Sequence, residues 1–205
     1  MIRPKGLGRG LDALLAGTDE ATPPGDALQT LAFQTLAEDE NLAALKRISL
    51  LSEIAKASGT PAGMVAGQAC DLEAESREVS PGELEQIHRL KTGALIIAAA
   101  RCGAIIADAA STELAAVTTY AAQLGLLFQI TDDLLDVTAT IETLGKTPGK
   151  DLRSKKATYP ALYGMDMTRS HLARAHQAAC GALEDIGRPT GLLRAIADYI
   201  SQREA

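Results

Sequence analysis

Residues 128–136 read FQITDDLLD, and this stretch decides the fold. Asp132 and Asp136 are four residues apart, so on a helix they stand one turn above the other on one face, with Asp133 at its edge. Like charges at that spacing cost a few tenths of a kcal/mol per pair. The glycine- and proline-bearing stretch that follows (Gly145, Pro148, Gly149) predicts that the helix ends soon after, where the backbone dipole adds further negative potential. A cation between the carboxylates would relieve both penalties. The flanks Leu126, Leu127, Ile130, Leu134 and Leu135 are apolar, so the helix is expected to be buried except for this acidic face.

The next residues bring the opposite sign: Lys146, Lys150, Arg153, Lys155 and Lys156. Carboxylates on a helix facing a basic loop suit Mg2+ bridged to phosphate, because Mg2+ takes one or two protein carboxylates and completes its shell with water and phosphate oxygens. The alternative reading is that these charges neutralise one another as surface pairs.

Composition narrows the class. A chain of 205 residues with 46% hydrophobic and 22% charged residues can hold a globular core. Abundant Ala and Leu and the absence of Trp favour helix over sheet. The formal net charge of −6 argues against a nucleic-acid binder. Cys70, Cys102 and Cys180 have no CxxC spacing, which predicts reduced thiols in a cytoplasmic protein. His88, His171 and His176 form no HExxH motif and no Cys/His cluster, so zinc is not expected. The most apolar run, Gly93 to Ala107, is broken by Arg101 and is too short to span a bilayer. No membrane span and no secretory signal are expected.

In chain order, residues 1–24 form a basic head with Leu7, Leu11, Leu14 and Leu15 at helical spacing, followed by a Pro/Gly linker. Residues 25–205 read as one helical domain. Helices are predicted over 27–36, along the Leu42, Leu45, Ile48, Leu51 and Ile54 stripe closed by Gly59, and from Pro61 onward. Ser80, Pro81 and Glu83 form a capping-box start for a helix that continues to about Ala110. It contains Lys91 and Thr92; Lys91 either serves a site or lays its stem along apolar neighbours. Ser111 is a candidate cap for the helix that leads into FQITDDLLD. Helices then cover 158–165, 168–186 and 192–203, with Gly187 and Pro189 separating the last two. The fold class is all-α, a helical bundle.

Six ordered motifs carry a family resemblance: GDALQTLAF (25–33), GMVAGQACDLEAE (63–75), IHRLKTGALI (87–96), FQITDDLLD (128–136), LGKTPGKD (144–151) and KATYPAL (156–162). From Gly25 onward the chain resembles the C-terminal part of trans-isoprenyl diphosphate synthases, in particular bacterial farnesyl and geranyl(geranyl) diphosphate synthases. The resemblance implies a partial isoprenoid-synthase bundle and a Mg2+-dependent prenyltransferase that condenses isopentenyl diphosphate with an allylic diphosphate. It implies that Asp132, Asp133 and Asp136 bind Mg2+, and that Lys91, Lys146 and Lys156 hold diphosphate. Thr92 and Gln129 would lie with Lys91 near the reacting carbons. Gln68 and Asp71 would line the cavity, and Phe128 is expected at the cavity or in the core, with core favoured.

The match implies a truncated chain without the family's N-terminal helices, which supply the first aspartate-rich motif. Activity would then require a second polypeptide, either a homodimer partner or a complete synthase. One alternative is a non-catalytic subunit with a Mg2+-diphosphate half-site. Another rests on the head, MIRPKGLGRGLDALLAG (1–17), which resembles the N-terminus of ParB chromosome-partitioning proteins and would engage a ParA-like ATPase.

Overall fold

The computed structural model describes residues 24–75, 77–144 and 157–203. All regular structure among them is helical. The residues divide into two compact units, one ending at Ser52 and the other beginning at Glu53. In the first, α1 (Pro24–Glu38) leads into α2 (Ala44–Ser58), which crosses the division. The turn between them is set by Asp39, whose side chain accepts from the Asn41 backbone N–H at 2.9 Å.

The second unit contains α3 (Met64–Ala74), α4 (Pro81–His88), α5 (Ala94–Ile106), α6 (Ser111–Leu144), α7 (Tyr159–Ala182) and α8 (Gly191–Gln202). Pro61 stands in the turn before α3, three residues ahead of the start. Ser80 and Glu83 form the expected capping box, each side chain accepting from the other's backbone N–H. The run that follows is continuous, but it is not α-helical throughout: Arg89–Gly93 form a single π turn between α4 and α5. Such bulges insert one residue into a helix and re-aim the side chains that follow. The run closes at Ile106 with Asp108 at φ 52, the left-handed cap position that Asp tolerates better than most residues.

α6 is the centre of the unit, with Tyr120, Ala121, Leu127 and Ile130 buried. Ala175, Ala179, Cys180 and Leu183 cover it from the α7 side and Ala197 from α8. The small side chains of α7 let the helices approach closely, and burial of a Leu127 or Ile130 contributes about 1.5–3 kcal/mol each. Tyr120 donates its hydroxyl to the Leu193 carbonyl oxygen at 2.7 Å, and burial pushes the phenol up to about 12. The Arg101 that interrupts the apolar run is accommodated by Glu53, which accepts from Nε and Nη2 at 2.8 Å each, and by Thr118, which accepts from Nη1. That bond holds the Glu53 carboxyl below the ordinary carboxylate range.

Three sequence expectations change here. α6 starts at Ser111, so Ser111 is the first helical residue, and the carboxylate of Glu113 accepts from the Ala110 N–H instead. α6 also runs on to Leu144, which places Asp136 about two turns before its end. The dipole acts over the last turn only, so it adds little at these aspartates. In α7, the break expected near residues 166–167 lies at Gly164, whose φ of 74° and ψ of 165° are not helical. The Thr168 hydroxyl donates to the Gly164 carbonyl at 2.7 Å, one turn beyond the break.

By length and composition, Ser111–Thr138 would suffice to cross a membrane. The central helix of a bundle meets the same criteria, and this one carries Asp132, Asp133 and Asp136.

Backbones approach most closely around the π turn. A Cβ at Gly67 on α3 would lie 2.2 Å from the Lys91 backbone N and 2.6 Å from its Cα. A Cβ at Gly125 on α6 would lie 3.0 Å from the Gly93 Cα. We expect Gly67→Ala to destabilise by roughly 1–3 kcal/mol or more, because backbone must move. Gly103→Ala, with no atom within 4 Å of the new methyl, should be neutral or stabilising by up to about 1 kcal/mol. Thermal denaturation of the two variants checks the contrast. Glu83 gives a pH test: its bonds with the Ser80 backbone and side chain, and with Arg77, draw its carboxyl down to about 2 from 4.5. A depressed folded pKa stabilises above the unfolded value and ceases to do so as pH falls through the folded one. The stability advantage of the wild type over Glu83→Ala should therefore be full above about pH 4.5 and shrink toward pH 2 in urea titrations.

Candidate functional site

Four residues of α6 form one stripe. Gly125, Gln129, Asp132 and Asp136 recur at intervals of four, three and four, the spacing of a single helix face. Gly125 touches the π turn, and Gln129 follows one turn later. The Gln129 side-chain oxygen is 2.8 Å from His88 Nδ1. A carbonyl oxygen only accepts, so Nδ1 carries the proton and His88 fixes which way the amide points. The other ring nitrogen, Nε2, is buried without a hydrogen-bond partner and faces Asp133 Oδ2 at 3.6 Å.

The structure divides the three aspartates. Asp133 is buried, and its Oδ2 accepts from the Tyr159 backbone N–H at 2.9 Å. Tyr159 in turn stacks on His88 (5.8 Å between centroids) and on Tyr163 (5.6 Å), and His171 closes the group against Tyr163 at 4.7 Å. Burial, the first cause, pushes the Tyr159 phenol well above its ordinary range. Asp132 is half-buried and Asp136 exposed, on the outward face. Asp133 thus ties α6 to the start of α7, whereas Asp132 and Asp136 face outward, one turn apart.

Lys91 lies in the π turn, half-buried, and its Nζ is 2.5 Å from Asp71 Oδ2 on α3. Thr92 follows it, also half-buried, and Gln68 is exposed on α3. Lys91 therefore does not merely lay its stem along apolar neighbours; its ammonium meets a carboxylate across two helices. Phe128 lies outside the buried core: it is half-buried, with the Arg203 guanidinium 5.0 Å over its ring. Lys146 and Lys156 lie outside the described residues, as does the basic head.

Sequence reasoning missed two residues. His88 precedes Lys91 by three positions in the same run, and its place directly after the apolar Ile87, four residues beyond Leu84 on the same helix face, was the available signal. Arg203 pairs with Asp132 through Nη2 and stacks on Phe128. It follows α8 directly, and nothing in its local pattern links it to a residue 71 positions earlier.

Chemically, the stripe offers two outward carboxylates in the number that Mg2+ takes from a protein, leaving the rest of its shell to water and phosphate. Arg203 supplies a cation at Asp132, and Lys91 a second on the π turn that Gly125 of the same stripe touches.

Comparison with known proteins gives consistent results. The family model described as Polyprenyl synthetase matches residues 10–192, beginning inside the basic head. Farnesyl diphosphate synthase of Escherichia coli (strain K12) is 45% identical over 91% of this chain and 64% of its own length. Among solved structures, an FPP/GFPP synthase from Zymomonas mobilis superposes with a TM-score of 0.73 at 36% identity, covering 86% of this chain and 59% of that one. A geranyltransferase from Helicobacter pylori, solved with magnesium and isoprenyl diphosphate, gives 0.69 at 26% identity over 86% of this chain and 57% of that one. The chain thus spans less than two thirds of the length of each of these relatives.

The division among the aspartates has a measurable consequence. Asp133→Ala leaves the buried Tyr159 N–H without an acceptor and should cost about 1–3 kcal/mol. Asp132→Ala breaks a partly exposed pair and should cost no more than about 1 kcal/mol. Urea unfolding of the two variants, side by side, decides whether they differ as described.

Proposed function

The chain belongs to the polyprenyl synthetase family, and on that premise we propose that it is an isoprenyl diphosphate synthase of the farnesyl or geranylgeranyl type. Its reaction is the condensation of isopentenyl diphosphate with an allylic diphosphate, and it works with a second copy or with a longer synthase. The reading is carried by one observation: the single stripe of α6 on which Gln129, held by His88, precedes the outward pair Asp132 and Asp136.

The allylic C–O bond breaks and its electron pair leaves with the diphosphate. The double bond of isopentenyl diphosphate then attacks the allylic cation, and loss of a proton restores neutrality at carbon. The protein must hold the diphosphate and stabilise the negative charge that develops on it. We assign that holding to Lys91, together with Lys146 and Lys156. In the substrate-free chain Asp71 balances the Lys91 ammonium, and a diphosphate would compete with Asp71 for it. To Thr92 and the Gln129 amide we assign the reacting end, the amide orientation being set by His88. Gln68 and Asp71, both on α3, and Phe128, beside Arg203, are assigned to the lining of the substrate cavity.

Mg2+, when bound, would neutralise the diphosphate charge as the bond breaks. Asp132 and Asp136 would hold it. Asp133, engaged by Tyr159, would contribute mainly by fixing α6 against α7. Arg203 must release Asp132 for this to occur.

Titrating the full chain with geranyl diphosphate in a calorimeter, with and without Mg2+, tests the assignment. Product analysis after addition of isopentenyl diphosphate then separates binding from turnover. Binding should require Mg2+ and should disappear in Asp132→Ala, which remains folded; Lys91→Ala should weaken it about tenfold or more. Undiminished Mg2+-dependent affinity in Asp132→Ala would sink the site assignment.

A further inference from the structure

A second group of ligating side chains lies outside this site, between α7 and α8, and it corrects the expectation of no Cys/His cluster: His176 and Cys180 meet here one helical turn apart. His176 and Cys180 are four residues apart on α7, so they share a face, and Asp198 meets them from α8. His176 Nε2 is 2.7 Å from Asp198 Oδ1 and 3.6 Å from Cys180 Sγ. One ligating atom from each of the three lies within 4.8 Å of the others.

A nucleophilic dyad or triad does not have this geometry. There, the histidine serves its two partners through different ring nitrogens. Here the thiol and the carboxylate converge on the same nitrogen, so all three groups point at one small volume. That is the arrangement of donors around a cation. From ordinary Zn–N, Zn–S and Zn–O lengths, a tetrahedral site separates N from S by about 3.6 Å and N from O by about 3.4 Å. The His176–Cys180 edge already has its length, and the His176–Asp198 edge needs to open by less than about 1 Å. Cys180 is buried at 8% exposure, while the His176 and Asp198 side chains are 30% and 45% exposed. The inner side is thus closed by protein, and the outer side is open to a water as fourth ligand.

We propose that His176, Cys180 and Asp198 form a binding site for a thiophilic divalent cation, Zn2+ by its donor set, that staples α8 to α7. A thiolate and a carboxylate balance the two positive charges, so the filled site is neutral, which suits its half-buried position. Mixed S, N and O donors favour Zn2+ over Mg2+, whose ligands are oxygens. On binding, the Cys180 Sγ–H bond breaks and its proton, with any carried on His176 Nε2, passes to solvent. No electron transfer is involved. Affinity must therefore rise with pH. The site uses none of the residues assigned to diphosphate or Mg2+, so it stands or falls independently of the prenyltransferase reading.

Co2+ is the probe, because a bound thiolate gives a ligand-to-metal charge-transfer band in the ultraviolet that no oxygen-only site produces. The full chain, titrated with Co2+ under reducing conditions, should develop that band to one equivalent and lose it on addition of Zn2+. Cys180→Ser should abolish the band, whereas Cys70→Ser and Cys102→Ser should retain it. His176→Gln and Asp198→Asn keep the thiol and should weaken Co2+ binding at least about tenfold. Absence of the band, or its survival in Cys180→Ser, overturns the proposal. If Cys180→Ser does not fold, the half-buried Asp198→Asn decides: unchanged affinity there overturns it equally.

Discussion

The second unit depends on how closely three backbones approach at the π turn. Gly67 on α3 leaves no room for a methyl group against Lys91, and Gly125 on α6 leaves little against Gly93. Between them the turn Arg89–Gly93 is clamped from both sides by main chain rather than by side chains. Side chains adjust by rotamer changes at modest cost, whereas backbone in contact with backbone yields only by shifting whole elements. The position of Lys91 is therefore fixed by steric exclusion. Its pairing with Asp71 then orients an ammonium whose Cα is already held.

His88, which ends α4 just before the turn, joins this clamp to the aspartate stripe. One ring nitrogen orients Gln129 and the other faces the buried Asp133, so a single imidazole spans two successive turns of α6. The ring also stacks on Tyr159, where α7 begins. Three elements thus meet on one side chain. The cost is a buried nitrogen without a hydrogen bond, a penalty that a fold carries only when its neighbours over-determine the position.

Much of this was legible in the sequence, for identifiable reasons. Helical periodicity, the Ser80–Glu83 capping box and the Gly187/Pro189 break are local signals, and local signals gave the all-α architecture and most helix positions. The spacing of Asp132 and Asp136 placed both on one face. What escaped depends on tertiary packing. A π turn has no sequence signature of its own; here it follows from the meeting of Gly67, Gly93 and Gly125, residues that are far apart in the chain. The separate role of Asp133 requires the position of the Tyr159 N–H, 26 residues away, and Arg203 reaches Asp132 only because α8 folds back. Phe128 was expected at the cavity or in the core, with core favoured because an aromatic in an apolar run usually packs there, yet it is half-buried and its ring carries a guanidinium.

The break at Gly164 bears on how motion is transmitted. An unbroken helix over the 24 residues of α7 would be a rod about 36 Å long, and tilting one end by about 10° would swing the other by about 6 Å. Any adjustment of Tyr159–Tyr163 against the aspartates would then be levered into the far end, where Ala175 and Ala179 pack in the core. The left-handed glycine interrupts the rod one turn from its start and isolates the long arm mechanically. The short turn can follow its aromatic neighbours and Asp133 while the core face of α7 stays in place.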